Sequence, residues 1–389
     1  MNGAGREVAV VGVGFSPVTR AGSPDIRTLT LTAAHDALTD AGLVASDLDA
    51  IFEYSFGGAR DDSPIAVSAQ RLLGVENLTA FNDIMGTGPS GLASAMDAAM
   101  AIAAGACETA LVYRTITRAA GHTGALREGP ARAVGAMQFS APYGYGGGII
   151  LAMAMKKRRR VAELGGSFED YGQIALNARR WAALNPRAVF RDLITMDDYL
   201  ASRMVADPLL LFDCDYPVNA ACAAILTTAD RARDLRQPAV LVDALAYGTG
   251  ARPDWLYAED FIFGGTIHCA RELWRRSSLT PQDVDVAELY DGFTHITISW
   301  LEALGLCGVG EFHDWVEGGT RIGPGGRLPL NTYGGQLAAG RMHGLAFLNE
   351  AVLQLRGQCG ERQVPDARAA VVANAHGPQC GAMVLRSAQ

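Results

Sequence analysis

Three side chains that can move or stabilise protons stand in one glycine-rich stretch near the end of the chain. Tyr333, Arg341 and His343 lie in 328–346, where a turn that contains Gly335 runs into an apolar helix. A phenol and an imidazole can exchange protons, and a guanidinium can hold an anion. Arg341 at a helix start opposes the helix dipole, so we expect it to have an anionic partner.

A second stretch adds Tyr290, Asp291 and His295, and Cys380 follows near the C-terminus. Each has a purely structural alternative. A tyrosine at a strand end can be a packed ring with a satisfied hydroxyl. Asp291 can cap the helix that follows it, and Cys380 can be a packed thiol.

We predict that Tyr290, Tyr333 and His343 act in catalysis. Asp291, His295, Arg341, Gly335 and Cys380 are predicted to bind the substrate.

Composition limits the class of protein. A chain of 389 residues with 49% hydrophobic residues can bury a large core, and its net charge of -8 gives no general attraction to nucleic acid or membranes. The basic run Lys156–Arg160 is read as a solvated helix face. Seven cysteines without a Cys-x-x-Cys spacing predict reduced thiols in the cytoplasm and no metal site. The short apolar run near the N-terminus predicts a first strand and neither a signal peptide nor a membrane span.

Apolar runs alternate with amphipathic helices along the chain, which is typical of an α/β fold with a mixed or parallel sheet. A glycine-rich, charged middle breaks this rhythm and predicts an inserted region at 116–219. The predicted strands cover 7–14, 49–54, 109–114, 220–228 and 239–246, and the predicted helices cover 26–42, 89–105, 150–184 and 196–206.

Two short similarities indicate an internal repeat. Residues 37–49 resemble residues 273–285, and Gly91-Leu92-Ala93 resembles Gly344-Leu345-Ala346, each at the start of a helix. Duplication of one α/β unit explains both. The predicted N-terminal half covers 1–115 and 220–247, and the predicted C-terminal half covers 248–389.

Four blocks, in order, resemble the sterol-carrier or lipid-transfer branch of the thiolases. They are 86–105, 202–209, 288–294 and 334–344. The resemblance covers essentially the whole chain. It implies the five-layered αβαβα thiolase fold, with two sheets and an inserted loop domain that binds coenzyme A.

The chain departs from the thiolase pattern at the catalytic positions. Thiolases acylate a cysteine at the start of a long helix, where this chain has Pro89 in Pro89-Ser90-Gly91. Proline suits the first turn of a helix but has no thiol, and Ser90 is read as a capping hydroxyl. Tyr290 replaces a histidine or asparagine, and Arg341 replaces the histidine of the third block. The last block, 374–381, matches the terminal Cys-x-Gly loop.

Loss of the thiol at this position excludes the covalent acyl-enzyme of thiolysis, while proton donors remain. The sequence is similar to the thiolase-like aldolases of bacterial steroid side-chain degradation. That similarity implies retro-aldol cleavage of a 3-hydroxyacyl-CoA, a 17-hydroxy steroid side-chain thioester, to a 17-ketosteroid and propionyl-CoA. Tyr290 and Tyr333 are the tyrosines carried over. A free phenol has a pKa of about 10, so a neighbour such as His343 or His295 would have to assist a phenol that acts as a base.

The same resemblance implies a homodimer, a separate zinc-containing OB-fold partner in a heterotetramer, and no cofactor beyond the coenzyme A of the substrate. Two other functions stay open. One is a non-catalytic acyl-CoA or sterol carrier, which would be indifferent to loss of the tyrosine hydroxyls. The other is an acyltransferase with Cys380 as an unusual nucleophile, which would form a covalent acyl adduct.

Overall fold

The computed structural model describes residues 5–22, 25–55, 64–85, 89, 91–117, 138–139, 149–251 and 260–388. Its strands are β1 Val8–Phe15, β2 Ala50–Ser55, β3 Ala80–Met85, β4 Thr109–Thr117, β5 Met204–Ala206, β6 Leu209–Leu210, β7 Asn219–Thr228, β8 Val240–Thr249, β9 Val286–Leu289, β10 Ala369–Asn374 and β11 Gln379–Ser387. Its α-helices are α1 Ile26–Ala41, α2 Ala66–Leu73, α3 Gly91–Ala104, α4 Ile149–Leu164, α5 Phe168–Ala183, α6 Met196–Leu200, α7 Ala229–Ala232, α8 Thr266–Arg276, α9 Thr294–Ala303, α10 Phe312–Trp315 and α11 Leu345–Leu355.

A long mixed sheet organises the fold, with strand order β3-β2-β4-β7-β1-β8-β11-β10-β9. The order on one side of the β1–β8 junction mirrors the order on the other, as a duplication predicts. Strands β1 and β8 join the two sides through only two residue pairs, Ala9 with Leu241 and Val10 with Val240. The two predicted sheets are therefore connected edge to edge in one long sheet.

Matching hydrogen bonds support the repeat. Asp49, before β2, accepts from the backbone N–H of Thr109 at the start of β4 (2.8 Å). Asp285, before β9, accepts from the N–H of Ala369 at the start of β10 (3.0 Å). Each carboxylate thus ties a strand to its parallel neighbour in the same way. The bounds predicted for the two halves stay a prediction.

Alternate residues of the strands are buried on opposite faces of the sheet, and helices cover both faces. Along β1, Val8 and Val10 face one side while Ala9 and Val11 face the other, where α1 packs. Helices α3 and α11 contact the inner faces of both sides of the sheet, and α8 packs on β8 and β11. The result is the predicted five-layered α/β core, with α3 and α11 in the central layer.

The inserted region contributes α4, α5, α6 and the small β5–β6 hairpin. The helix predicted at 196–206 is too long, because it ends at Leu200 and gives way to β5. The glycine-rich run 143–148 and Ser90 lie outside the described residues. In the described ranges no helix is long and apolar enough to cross a membrane.

Candidate active site

Three distant segments meet at the start of α3. The Asn374 side chain donates to the Pro89 carbonyl (2.7 Å), and Gly381 lies so close to the Pro89 ring that an added Cβ would sit 2.7 Å from it. A Cβ on Gly91 would meet the His343 carbonyl at 2.7 Å. The blocks at 86–105, 334–344 and 374–381 therefore come together, although Pro89 leaves this point without a nucleophile.

The stretch that follows Tyr333 folds into a short π-helical turn over Gly335–Ala339. Such turns often occur at functional sites. The Asp291 carboxylate accepts from the N–H groups of Gln336 (2.8 Å) and Leu337 (3.5 Å) at its start. Burial raises the pKa of Asp291 to about 7, although these two N–H groups lower it. Asp291 thus caps this turn and not the helix that follows it in sequence.

An ion pair lies beside Tyr290. The Arg341 guanidinium stands 3.3 Å from the Asp215 carboxylate, and the Asp215 N–H donates to the Gly292 carbonyl (3.1 Å). Arg341 therefore has the anionic partner that its place before a helix requires. Burial raises the pKa of Asp215 to about 6, while Arg341 lowers it. Burial also raises the pKa of Tyr290 well above 10, with Asp215 adding and Arg341 opposing, so the phenol is neutral at pH 7.

His343 completes this group from the other side. Its ring meets the edge of the buried Tyr54 ring with centroids 6.3 Å apart. The φ angle of His343 is 46°, an uncommon value for a residue other than glycine, and its N–H donates to Gln336 (3.1 Å). Tyr54 also raises the pKa of Tyr290. We define the candidate active site as Tyr54, Asp215, Tyr290, Arg341 and His343.

Tyr333 is buried and shares Asp291 as a charged neighbour with Tyr290. Its side chain is 4% exposed, and its ring packs edge-on against Phe347 with centroids 5.4 Å apart. In the part of the chain that the structure describes, its hydroxyl has no hydrogen-bond partner and so none with Tyr290. Burial raises the pKa of Tyr333 well above its ordinary value. The ring borders a small pocket lined by Phe15, Val18, Asn185, Arg187, Tyr333, Ala339, Met342, Ala346 and Glu350.

His295 and Cys380 belong to another buried group, with Lys156 and His376. Burial lowers the pKa of Lys156 to about 8, and Cys380 and Asp260 oppose this shift. The pKa of His295 falls well below 6.5, through burial and then through His376. A hydrogen bond with Cys269, followed by burial, raises the pKa of Cys380, so its thiol is protonated. Within the described ranges, no hydrogen bond joins His295 or Cys380 to Tyr290, and no group of residues could hold a metal ion.

The basic run Lys156–Arg160 is not the solvated helix face that the sequence predicts. Lys157 pairs with Asp213 (2.7 Å) and Arg160 pairs with Glu302, all in the interior. Only Arg158 and Arg159 of the run are exposed. Buried acids from distant segments compensate these charges, and the run alone gives no sign of such partners.

Sequence reasoning missed Tyr54 and Asp215. The internal repeat could have identified Tyr54. Asp49 and Asp285 are equivalent in the repeat and lie 236 positions apart, and Tyr54 and Tyr290 are separated by the same 236 positions. The repeat therefore places the two tyrosines at the ends of equivalent strands. Asp215 stands in no motif, and only the fold brings it to Arg341.

Comparisons with known proteins show which family the chain belongs to. Residues 253–385 match the family described as Thiolase C-terminal domain-like. The chain is 36% identical to a 17-hydroxy-3-oxo-4-pregnene-20-carboxyl-CoA lyase of Mycobacterium tuberculosis, over 90% of this chain and 92% of that protein. It is 32% identical to a steroid side-chain-cleaving aldolase of Thermomonospora curvata, over 90% of each. A solved structure described as an Ltp2-ChsH2(DUF35) aldolase superposes with a TM-score of 0.89 at 29% identity, covering 99% of this chain and 98% of that one.

Gly335→Ala tests the capped turn. Gly335 has a φ of 61°, and an added Cβ would overlap the Asp291 carboxylate, so we expect the free energy of unfolding to fall by about 3 kcal/mol or more. Gly357→Ala is the matched control, because its φ is 71° but nothing lies within 4 Å of an added Cβ. It should cost only about 1–2 kcal/mol. Equal losses in urea unfolding would show that Asp291 does not constrain this turn.

Proposed function

The chain belongs to the thiolase-like steroid side-chain aldolases of the thiolase superfamily, and from this membership we propose that it cleaves a 17-hydroxy steroid side-chain CoA thioester into a 17-ketosteroid and propionyl-CoA. The chain is a carbon–carbon lyase. The substrate rests on the relatives. The observation that carries the mechanism is the neutral Tyr290 phenol beside the Arg341–Asp215 pair. Pro89 stands at the position where thiolases have their nucleophile.

Retro-aldol cleavage requires a base, a site for the enolate and a proton donor. The base takes the proton of the 3-hydroxyl group, and the bond between the α- and β-carbons breaks to give a ketone. The electron pair of that bond becomes the thioester enolate, and protonation at carbon yields the shorter acyl-CoA. No acyl group is transferred to the protein, so a thiol is unnecessary.

The electrostatics favour particular roles for the site residues. A carboxylate with a pKa of about 6 is largely ionised near neutral pH and still accepts a proton, so Asp215 is our candidate base. Tyr290 stays protonated and is the candidate donor to the enolate oxygen. Arg341 would offset the charge that develops there. His343 lines the site, and a catalytic role for Tyr333 remains a separate hypothesis.

Two alternatives have different requirements. An acyltransferase that uses Cys380 would need a thiolate, whereas the Cys269 contact and burial favour the thiol. A non-catalytic carrier would bind acyl-CoA without turnover. The acyltransferase would leave a covalent acyl adduct on the denatured protein. The carrier would give neither an adduct nor cleavage products.

We also propose a DUF35-type partner, as in the Ltp2-ChsH2(DUF35) structure, with a zinc-containing OB-fold and a heterotetramer as the expected form. No cofactor beyond the coenzyme A of the substrate is proposed. All seven cysteines are free thiols, in keeping with our expectation of a cytoplasmic location.

The first test is product analysis by mass spectrometry with a tertiary 3-hydroxyacyl-CoA that carries a steroid ring system, with and without a DUF35 partner. We expect the ring ketone and propionyl-CoA. Tyr290→Phe removes only the hydroxyl and should lower kcat about 100-fold or more. Tyr333→Phe is the matched comparison. An equal loss there would extend the mechanism to both tyrosines, and full activity of Tyr290→Phe would refute its role.

The pH dependence tests Asp215. A carboxylate with a pKa of about 6 loses its negative charge as the pH falls through 6, so kcat/KM of the free enzyme should fall on the acidic side of that value. Asp215→Asn should remove this limb and lower kcat/KM at pH 7.5 about 100-fold. Asp234→Asn, at an exposed carboxylate, should leave the profile unchanged. An unchanged acidic limb in Asp215→Asn would assign the titration to another group.

The homodimer can be tested at β3. This edge strand pairs only with β2 in the described sheet, and it exposes Phe81 (58%) and Met85 (68%). An exposed apolar edge favours pairing with a second copy. Phe81→Glu with Met85→Glu should halve the mass measured by light scattering. Val44→Glu, at a residue 62% exposed outside the strands, should leave the mass unchanged. A dimer that persists in the β3 variant would place the interface elsewhere.

A further inference from the structure

One buried glutamine is bonded to the segments that surround the candidate active site. Gln336 is fully buried and lies in the first half of the π-helical turn. Its side-chain carbonyl oxygen accepts a hydrogen bond from the backbone N–H of His343 (3.1 Å). Its own backbone N–H donates to Asp291 (2.8 Å), and its backbone carbonyl accepts from the N–H of Tyr216 (3.3 Å). Asp291 and Tyr216 each directly follow a residue of the site, so Gln336 connects both sides of it.

The bond to His343 supplies a partner that the local backbone does not. His343 has a φ of 46°, in the left-handed region, which costs free energy for a residue other than glycine. The segment 340–344 is not helical, so no carbonyl four residues earlier is placed to accept its N–H. A buried backbone N–H needs an acceptor. The Gln336 oxygen provides that acceptor and supports the left-handed conformation.

The orientation of the Gln336 amide follows from this bond. A backbone N–H can only donate, so the atom that faces His343 is the carbonyl oxygen and not the amide nitrogen. Among the residues that the structure describes, the Gln336 Nε2 has no hydrogen-bond partner. The oxygen is therefore the atom of this side chain whose loss should affect the site.

The segment that Gln336 holds also carries the cation of the ion pair. Arg341 lies two residues before His343, and its N–H donates to the Tyr216 carbonyl (2.9 Å). Its guanidinium lies 3.3 Å from the Asp215 carboxylate. A shift of the His343 backbone therefore changes the distance between Arg341 and Asp215. A displacement of about 1 Å in an active site can lower a rate about 100-fold.

We propose that Gln336 is a positioning residue of the active site: its side-chain oxygen holds the His343 backbone and thereby keeps Arg341 against Asp215. This inference rests on the proposed function for the reaction whose rate is measured. An indirect role agrees with the burial of Gln336, because a side chain with no exposed surface offers no contact to a substrate. Asp291 orders the turn through its backbone N–H groups, and Gln336 extends that order to the segment 341–343.

Hydrogen exchange tests the contact on the full chain. Gln336→Met keeps the length of the side chain and removes the acceptor, so the His343 N–H should exchange about tenfold faster or more. Gln336→Glu keeps an oxygen at this place, and a buried carboxyl group without a charged partner stays neutral, so the exchange should remain slow. Mass spectrometry of the peptide that contains His343 gives the rate. Equal exchange in the wild type and Gln336→Met overturns the assignment, with or without cleavage of a substrate.

Kinetics test the effect on the ion pair. Gln336→Met should lower kcat about tenfold or more with little change in KM, and Gln336→Glu should recover most of it. The acidic limb of kcat/KM should move to higher pH in Gln336→Met, because Arg341 lowers the pKa of Asp215 and a looser pair lowers it less. Tyr290 and Asp291 also face Asp215, and the substitution replaces neither.

A second buried glutamine provides the matched control. Gln354 is equally buried, and its amide nitrogen donates to Thr332 (2.9 Å) while its oxygen accepts from the N–H of Val364 (2.9 Å). Gln354→Met should therefore unfold at a lower urea concentration but keep kcat and the acidic limb. An equal loss of kcat in Gln354→Met and Gln336→Met overturns the positioning role, since lower stability alone would explain both.

Failure of this inference differs from failure of the proposed function. Unchanged kcat and an unchanged acidic limb in Gln336→Met, with Tyr290→Phe still impaired, overturn the positioning role while the proposed function stands. Absence of cleavage by the wild-type protein overturns the proposed function. The exchange rate of the His343 N–H then decides by itself whether Gln336 holds this segment.

Discussion

The start of α3 lies against the start of α11 with no side chain between the two backbones. A Cβ on Gly91 would press on the His343 carbonyl, and a Cβ on Gly344 would overlap the backbone at Leu92. Both helices are central, and each contacts inner faces on both sides of the long sheet. The close contact between the two helix starts therefore fixes the position of His343, and with it that of the nearby Arg341–Asp215 pair. A larger residue at either glycine would separate the helix starts and spread the site apart.

Burial determines the chemistry that this arrangement allows. Removing a carboxylate from water disfavours its charge, and so Asp215 and Asp291 have pKa values of about 6 and 7. The same effect favours the neutral form of Tyr290, and a hydrogen bond with Cys269 together with burial favours the protonated thiol of Cys380. A thiolase needs a thiolate here, whereas an aldolase needs a weak base and a neutral donor. The interior of this protein favours the second set, independently of the proline that stands in place of the nucleophile.

Much of the fold was predictable because the spacing of apolar residues, and the glycines and prolines that end helices and strands, are local signals. The strands at β1 and β2 and the helix at α3 follow from apolar runs and a proline suited to a helix start. The mirrored order of strands agrees with the predicted repeat. Tyr290 and Arg341 were recognised because their blocks resemble a known family. The burial of Lys157 and Arg160 was not predictable, since it depends on Asp213 and Glu302 at 56 and 142 positions away.

The duplication explains why this site holds two tyrosines at equivalent strand ends with different environments. Tyr54 is the last residue but one of β2 in one repeat, and Tyr290 directly follows β9 in the other, 236 positions later. Tyr54 is buried under Arg114, whose guanidinium lies 5.1 Å from its ring centroid and donates to its carbonyl (3.0 Å). Tyr290 is only partly buried and lies by the Asp215–Arg341 pair, which comes from the segment before β7 and the loop before α11. The repeat supplies the two phenols, and the Asp215–Arg341 pair makes the surroundings of Tyr290 differ from those of Tyr54.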